Sequence, residues 1–467
     1  MSHSDLCLLP ITELAAQIQQ QVLSPVELTE AYLARIEALD GRVESYLTIT
    51  PERARADAIR AEQEIHQGIY RGPLHGIPVA LKDLFDTAGI RTTANSRLLF
   101  DRIPAQDSTI VARLHASGAV LLGKLKLYEF AMGVPYPGDP IPPARNPWNL
   151  ERIPGGSSSG SGAALAAGLC AGSFGSDTGG SIRHPAHMSG VVGLKPTYGL
   201  VSRHGMIPLS WTLDHAGPMA RTVQDVALLL QAVAGYDPAD PASVRVKIPD
   251  YATAFPGIGR GVRIGVPEAY IESTPGLHAD ILRAFNEALD VLRTLGATVR
   301  PVTLPSAELV DAVFHPILLS EAIAYHSAWL ATRREDYGPG FWNRLVPGII
   351  FTGAEYVQAQ RGRTLFCRAI EELMATVDLI AMPTVRETAP TLAEHMGVAH
   401  PTRGPFTGLF NLTGQPSISV PCGFDRQGLP IGLMLSGRAF DEVTVLSVAD
   451  AYQQATDWHR QHPPLVG

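Results

Sequence analysis

Apolar residues recur at helical spacing in "SPVELTEAYLARIEALDG", where Leu28, Ala31, Tyr32, Ile36 and Leu39 fall on one stripe. Ser24 can cap this helix, Pro25 suits its first turn, Glu27 completes a capping box and Gly41 ends it. The period then changes. "HGIPVALKDLF" is a short continuous apolar run that reads as a buried strand leading into a turn. "DSTIVARLHASG" reads as a helix capped by Asp107, and "AVLLGKL" as the next strand. Further on, "TVQDVALLLQAVAG" is an amphipathic helix boxed by Thr222 and Asp225, and "VRIGVP" and "ATVRPVTLP" bracket the helix "HADILRAFNEALDVLRTLG". The β-branched run in "MSGVVGLKPT" reads as a buried strand, and "VDLIAMPTV", "PSISVPCGF" and "LPIGLMLSG" are three more strand candidates, followed by a helix around "DEVTVLSVADAYQQAT". Strands alternating with helices predict an α/β protein. Residues 236–261, rich in Pro, Asp and Gly, read as a long connection.

Composition narrows the function. A chain of 467 residues with 45% hydrophobic and 18% charged residues can bury a large core. A net charge of −8 without a Lys/Arg run argues against a nucleic-acid footprint on this chain. No uncharged apolar run reaches membrane-spanning length and the first residues lack the pattern of a signal peptide, so the expected compartment is the cytoplasm. Cys7, Cys170, Cys367 and Cys422 form no C-x-x-C pair, and His395 and His400 lie five apart as in a surface loop, so neither a metal site nor a cofactor is expected.

Two runs of small residues carry the chemistry: "PGGSSSGSGAALAAG" from Pro154 and "GSDTGGSIRHPA" from Gly175. A phosphate cradle fits poorly, because Gly123-Lys124 is followed by leucine where the P-loop pattern needs Ser or Thr. Residues 156–160 satisfy G-x-S-x-G with Ser158 in the middle, the pattern of a hydrolase nucleophile elbow. An elbow follows a strand, however, and "NPWNLERIPGG" looks irregular. In a third reading, a serine is activated by a neutral lysine. Lys82 ends the apolar "IPVAL", a setting that would desolvate its ammonium.

"HGIPVALKDLFDTAG", "EFAMG", "ARNPWNLERIPGG", the two small-residue runs, "GVVGLKPTYGLVS", "PLSWTLDHAGPMARTVQD", "FNLTGQPSISVPCGF" and "LPIGLMLSG" together resemble the blocks of the amidase signature family, in the same order. The resemblance implies one domain with a mixed sheet covered by helices on both sides. Within it come an N-terminal helical part (about 1–65), a catalytic core (about 70–235), a loosely matching part tied to specificity (about 236–376) and a C-terminal return (about 377–467). It implies a Ser-Ser-Lys triad of Lys82, Ser157 and Ser181, with Ser157 on a cis peptide bond and Ser181 as the nucleophile. The backbone N–H groups of Thr178, Gly179, Gly180 and Ser181 would form the oxyanion hole. Ser158 would support the triad, Asp177 and Arg183 would flank it as an ion pair, and Met132 and Gly133 would line the acyl pocket.

These features predict an amidohydrolase without cofactor, acting on a neutral aryl or alkyl amide or a carbamate. The expected partners are that small molecule and at most a second copy of the chain, with no nucleic acid and no membrane. The competing expectation is the glutaminase-type subunit of a tRNA-dependent amidotransferase. Such subunits resemble one another in an aspartate shortly before the "NLTG"-like block, whereas "TRGPFTGLFNLTG" has no acid between Thr402 and Gly414. Five prolines between Pro135 and Pro143, with the aromatic-bearing "AIAYHSAWL" and "GFWNRLVPGIIF", suggest room for an apolar substrate.

Overall fold

The computed structural model describes residues 6–396, apart from residues 254, 256, 259 and 260, together with residues 406–466. Among them, eleven strands form one mixed sheet: β1 (Tyr46–Ile49), β2 (Pro78–Lys82), β3 (Val120–Leu125), β4 (Gly172–Asp177), β5 (Val192–Lys195), β6 (His215–Ala220), β7 (Arg263–Val266), β8 (Thr298–Pro301), β9 (Leu379–Pro383), β10 (Ser417–Phe424) and β11 (Pro430–Gly437). Their order is β1-β3-β2-β4-β6-β5-β10-β11-β9-β7-β8. The chain is thus an α/β protein, and β7 and β8 of the loosely matching part extend the same sheet at one edge.

The register sets the site. Strands β2 and β4 are parallel neighbours, with Leu81 opposite Phe174, so their carboxyl ends bring Lys82 and the Ser176–Asp177 pair to one edge. Strand β6 runs antiparallel to β4 and pairs His215 with Asp177, which delivers Asp214 to the same place. Carboxyl ends of parallel strands are where α/β sheets open a crevice. The helix Ser159–Ala166, whose residues are all buried, packs over β2, β3, β4 and β6. Its Gly, Ala and Ser side chains let it approach the sheet closely, which is why this stretch has no amphipathic pattern.

Helices Ala307–Leu330 and Gly353–Met374 pack on each other and on the short helix Gly408–Thr413, forming a helical layer at the carboxyl edge. Three strands were not visible in the periodicity. Of these, β4 ("GSFGSD") and β6 ("HAGPMA") are rich in Gly, Ala and polar residues, and both are fully buried between neighbouring strands. Burial between neighbours overrides local β propensity there. The third, β1, has only four residues.

Some caps differ from the expectation. Ser108, not Asp107, accepts from the first turn of Thr109–Ala116, while Asp107 accepts from the Ala88 N–H at 2.7 Å. The first amphipathic helix runs through Gly41 to Val43, and its Ser24 cap accepts from Val26 and Glu27. Thr222 caps its helix as expected, but the Asp225 carboxylate reaches away to the Thr12 N–H at 3.1 Å.

Candidate active site

Lys82 is fully buried at the end of β2, and its Nζ lies 2.8 Å from Ser157 Oγ and 2.8 Å from Ser176 Oγ. Burial pushes its ammonium down to about 7, against the opposing pull of the Asp214 and Asp177 carboxylates. A neutral amine has two N–H donors and one lone pair. With one N–H on Ser176, the lone pair is free to face the Ser157 hydroxyl. Ser157 follows a cis peptide bond from Gly156. Tyr128 braces both sides of it, donating its N–H to Ser157 O of the next peptide at 3.0 Å and laying its ring where a Gly156 side chain would stand, 2.1 Å from an ideal Cβ.

Ser181 stands half-buried at the turn after β4, joined to the first serine run by the Ser158 N–H, which donates to Ser181 O at 3.3 Å. Among the described residues, no hydrogen bond joins the Ser157 and Ser181 hydroxyls. Ser158 is fully buried, with its Oγ donating to the Ser176 carbonyl at 3.3 Å, an arrangement unlike the exposed serine of a nucleophile elbow.

The turn itself is built on Asp177. Its Oδ1 accepts from the Gly180 N–H (2.7 Å), Arg183 Nη2 (2.8 Å) and Asn411 Nδ2 (2.8 Å). Its Oδ2 accepts from the Ile182 N–H (3.1 Å), the Arg183 N–H (3.4 Å) and Arg183 Nε (3.0 Å). Burial opposes this charge, yet the Arg183 guanidinium and the hydrogen bonds hold the carboxyl far below the usual carboxylate range. The Gly180 N–H is therefore already committed to Asp177. The N–H groups of Thr178, Gly179 and Ser181 have no acceptor among the described residues. Thr178 Oγ1 donates to Asp214 at 2.6 Å, and Asp214 in turn accepts from the Leu209 and Ser210 N–H groups.

Met132 and Gly133 lie against the helix Pro339–Leu345: Arg344 Nη1 donates to Met132 O at 2.9 Å, and a Gly133 Cβ would stand 3.2 Å from Phe341 Cβ. Sequence reasoning missed Ser176, Asp214, Tyr128 and Thr407 at this site, and Phe314 from the helix Ala307–Leu330, whose ring sits 2.8 Å from an ideal Cβ on Gly179. Only register and tertiary packing bring these to the turn. His395 is buried and meets Tyr128 OH at 3.2 Å, contrary to the surface loop expected of it. His400 and the beginning of the acid-free stretch, residues 402–405, lie outside the described residues. Among the described residues no group of three His, Cys, Asp or Glu could hold a metal ion, and no helix is long and apolar enough to cross a membrane.

The model of the family described as Amidase matches residues 27–446. The chain belongs to the amidase signature family. Among relatives of the family, it is 44% identical to a glutamyl-tRNA(Gln) amidotransferase subunit of Geobacter metallireducens, over 97% of this chain and 98% of the other. A solved structure described as a vestigial protein complex, revealing the origins of an s-triazine catabolic enzyme, superposes with a TM-score of 0.89 at 35% identity, covering 96% of this chain and 98% of that one. A bacterial aryl acylamidase of the family superposes with a TM-score of 0.88 at 26% identity, with 97% of each chain covered.

These relatives correct the expected partners. A chain acting alone on a small amide or carbamate, or with only its own copy, does not fit relatives that are named subunits of a tRNA-directed amidotransferase, nor a structural neighbour solved as a complex. The expectation rested on the acid-free stretch before Asn411, on the proline- and aromatic-bearing segments and, for nucleic acid, on net charge. A net charge of −8 without a Lys/Arg run describes only what that chain itself attracts, and is silent on what other bound chains bring.

Replacing Arg183 by Met leaves a buried carboxylate without its counter-charge. Loss of one partner of such a pair costs about 3–5 kcal/mol. Urea unfolding should show a loss of that size for R183M, and a smaller additional loss when D177N is combined with it than D177N causes alone.

Proposed function

We infer that this protein cleaves amide C–N bonds through an acyl-enzyme on Ser181, as the amide-cleaving member of an amidotransferase-type assembly. The observation that carries the chemistry is a buried lysine, held down to about 7, at 2.8 Å from Ser157 beside the turn that bears Ser181. The near full-length 42–44% identity to glutamyl-tRNA(Gln) amidotransferase subunits supports the setting.

In this reading Ser181 Oγ attacks the amide carbonyl while its proton passes to Ser157 and, from Ser157, to the lone pair of neutral Lys82. Such hydrogen bonds tighten when substrate binds, which accommodates the unlinked serine hydroxyls. The carbonyl oxygen becomes an oxyanion, for which the N–H groups of Thr178, Gly179 and Ser181 are the unclaimed donors. The C–N bond then breaks, the relay returns the proton to the departing nitrogen, and water attacks the ester by the same path to release the acid.

A second reading, a neutral aryl or alkyl amide as substrate, draws on the Phe314 ring against Gly179 and on the likeness to an aryl acylamidase. It shares the chemistry and differs in the acyl side.

Because Lys82 accepts a proton only when neutral, kcat/KM should fall about tenfold per pH unit as pH drops below about 7 and should level off above it. K82R, charged at every working pH, should lose at least ~10³-fold at all of them. A K82R enzyme with the same pH profile as the unaltered protein would remove the relay.

To separate the two substrate readings, glutamine and acetanilide should be compared as substrates for the protein purified gently with its bound partners and for the chain expressed alone. A glutamine preference that depends on the partners supports the assembly reading. Preference for acetanilide in both preparations supports the second. In either case a fluorophosphonate should add its mass to Ser181 and leave S181A unlabelled, and an adduct on another serine would overturn the mechanism.

A further inference from the structure

The peptide between Gly179 and Gly180 is held at both ends. Its N–H donates to Asp177 Oδ1 at 2.7 Å, and its C=O accepts from Thr407 Oγ1 at 2.7 Å. Thr407 belongs to a distant part of the chain, just before the helix Gly408–Thr413. Its own carbonyl accepts from Arg183 Nη1 at 3.2 Å, and Arg183 Nε returns to Asp177 Oδ2 at 3.0 Å. The hydrogen bonds thus close a ring: Asp177, the Gly179–Gly180 peptide, Thr407, Arg183 and back to Asp177. Gly180 adopts φ +126°, and an ideal Cβ there would lie 2.6 Å from Thr407 Oγ1, so the threonine occupies the space that the missing side chain leaves.

A peptide plane fixed at its oxygen and its nitrogen cannot rotate. Holding it restrains the planes on either side, which carry the Gly179 and Ser181 N–H groups and are joined to it through the two glycine Cα atoms, and Gly180 O is further tied to the His184 N–H at 2.7 Å. A glycine pair otherwise has wide backbone freedom, and a turn that must reorganise in each turnover stabilises an oxyanion less than one already in place.

We propose that Thr407 is a positioning residue for the reaction: its hydroxyl latches the Gly179–Gly180 peptide so that Gly179 and Ser181 present their N–H groups to the oxyanion, while the Gly180 N–H serves as the anchor to Asp177 and not as an oxyanion donor. This rests on Ser181 being the nucleophile, as proposed above, and adds a residue from the far end of the chain to the site.

The test reads the second-order rate of fluorophosphonate labelling of Ser181 by intact mass, on the protein with whatever partners purify with it. The phosphonyl oxygen takes the place of the oxyanion, and no substrate need be known. T407V, which keeps the shape and loses the hydroxyl, should label ~10- to 100-fold more slowly, below the ~10²–10³ expected for deleting a donor outright. T407S should stay within ~3-fold of the unaltered protein. The pH midpoint of labelling should not move, since Lys82 is untouched. Should T407V fail to fold, T407S against T407A isolates the same hydroxyl, with the slow rate expected of T407A. T407V or T407A labelling at the unaltered rate, T407S as slow as T407A, or a shifted midpoint would overturn the latch alone. An unaltered protein with no adduct on Ser181 would overturn the proposed nucleophile and the latch with it.

Discussion

Six hydrogen bonds converge on the Asp177 carboxylate at the end of β4, and the candidate active site is arranged around them. A fully buried ion pair with Arg183 gains little net stability, because removing both charges from water offsets most of their attraction. What it supplies is direction. Asp177 accepts from the Gly180, Ile182 and Arg183 N–H groups, so the chain after the strand must curl around the carboxylate. Arg183 reaches on to Thr407 and Asn411, tying that curl to the far end of the sequence.

Lys82 imposes the complementary demand. A lysine can serve as a base near neutral pH only if its ammonium is kept out of water, and the helix Ser159–Ala166 achieves this by packing Gly, Ser and Ala against β2 and its neighbours. Larger side chains would hold the helix off the sheet and let water in. The small-residue runs thus have a double use: they close the wall over the lysine and they place backbone N–H groups at the turn. The cost of a buried amine falls on stability, a trade common to sites tuned for chemistry.

Lys82, Asp177 and Asp214 stand at the ends of β2, β4 and β6, whereas the layer over them comes from residues 307–374. From that layer Phe314 meets Gly179 of the turn, and the helix Pro339–Leu345 meets Met132 and Gly133. The fold is shared with relatives as different as an aryl acylamidase and a glutamyl-tRNA(Gln) amidotransferase subunit.

The sequence by itself determined much of this. Continuous apolar runs located β2, β3, β5 and the strands of the C-terminal return, because burial on both faces leaves a run without polar interruption. The apolar setting of the lysine ending "IPVAL" marked Lys82 as a candidate base, and the resemblance of the two glycine-serine runs to the family's blocks implied Ser157 and Ser181, since such blocks are written in consecutive positions. Tertiary structure decided the rest. Strands β4 and β6 are made of residues with little strand preference and exist because their neighbours pair with them. Ser176, Asp214, Phe314 and Thr407 join the site through sheet register or from helices up to 228 residues away, as with Thr407 and Gly179. No periodicity encodes such contacts, because they depend on which elements lie side by side, and that is fixed only when the whole core packs.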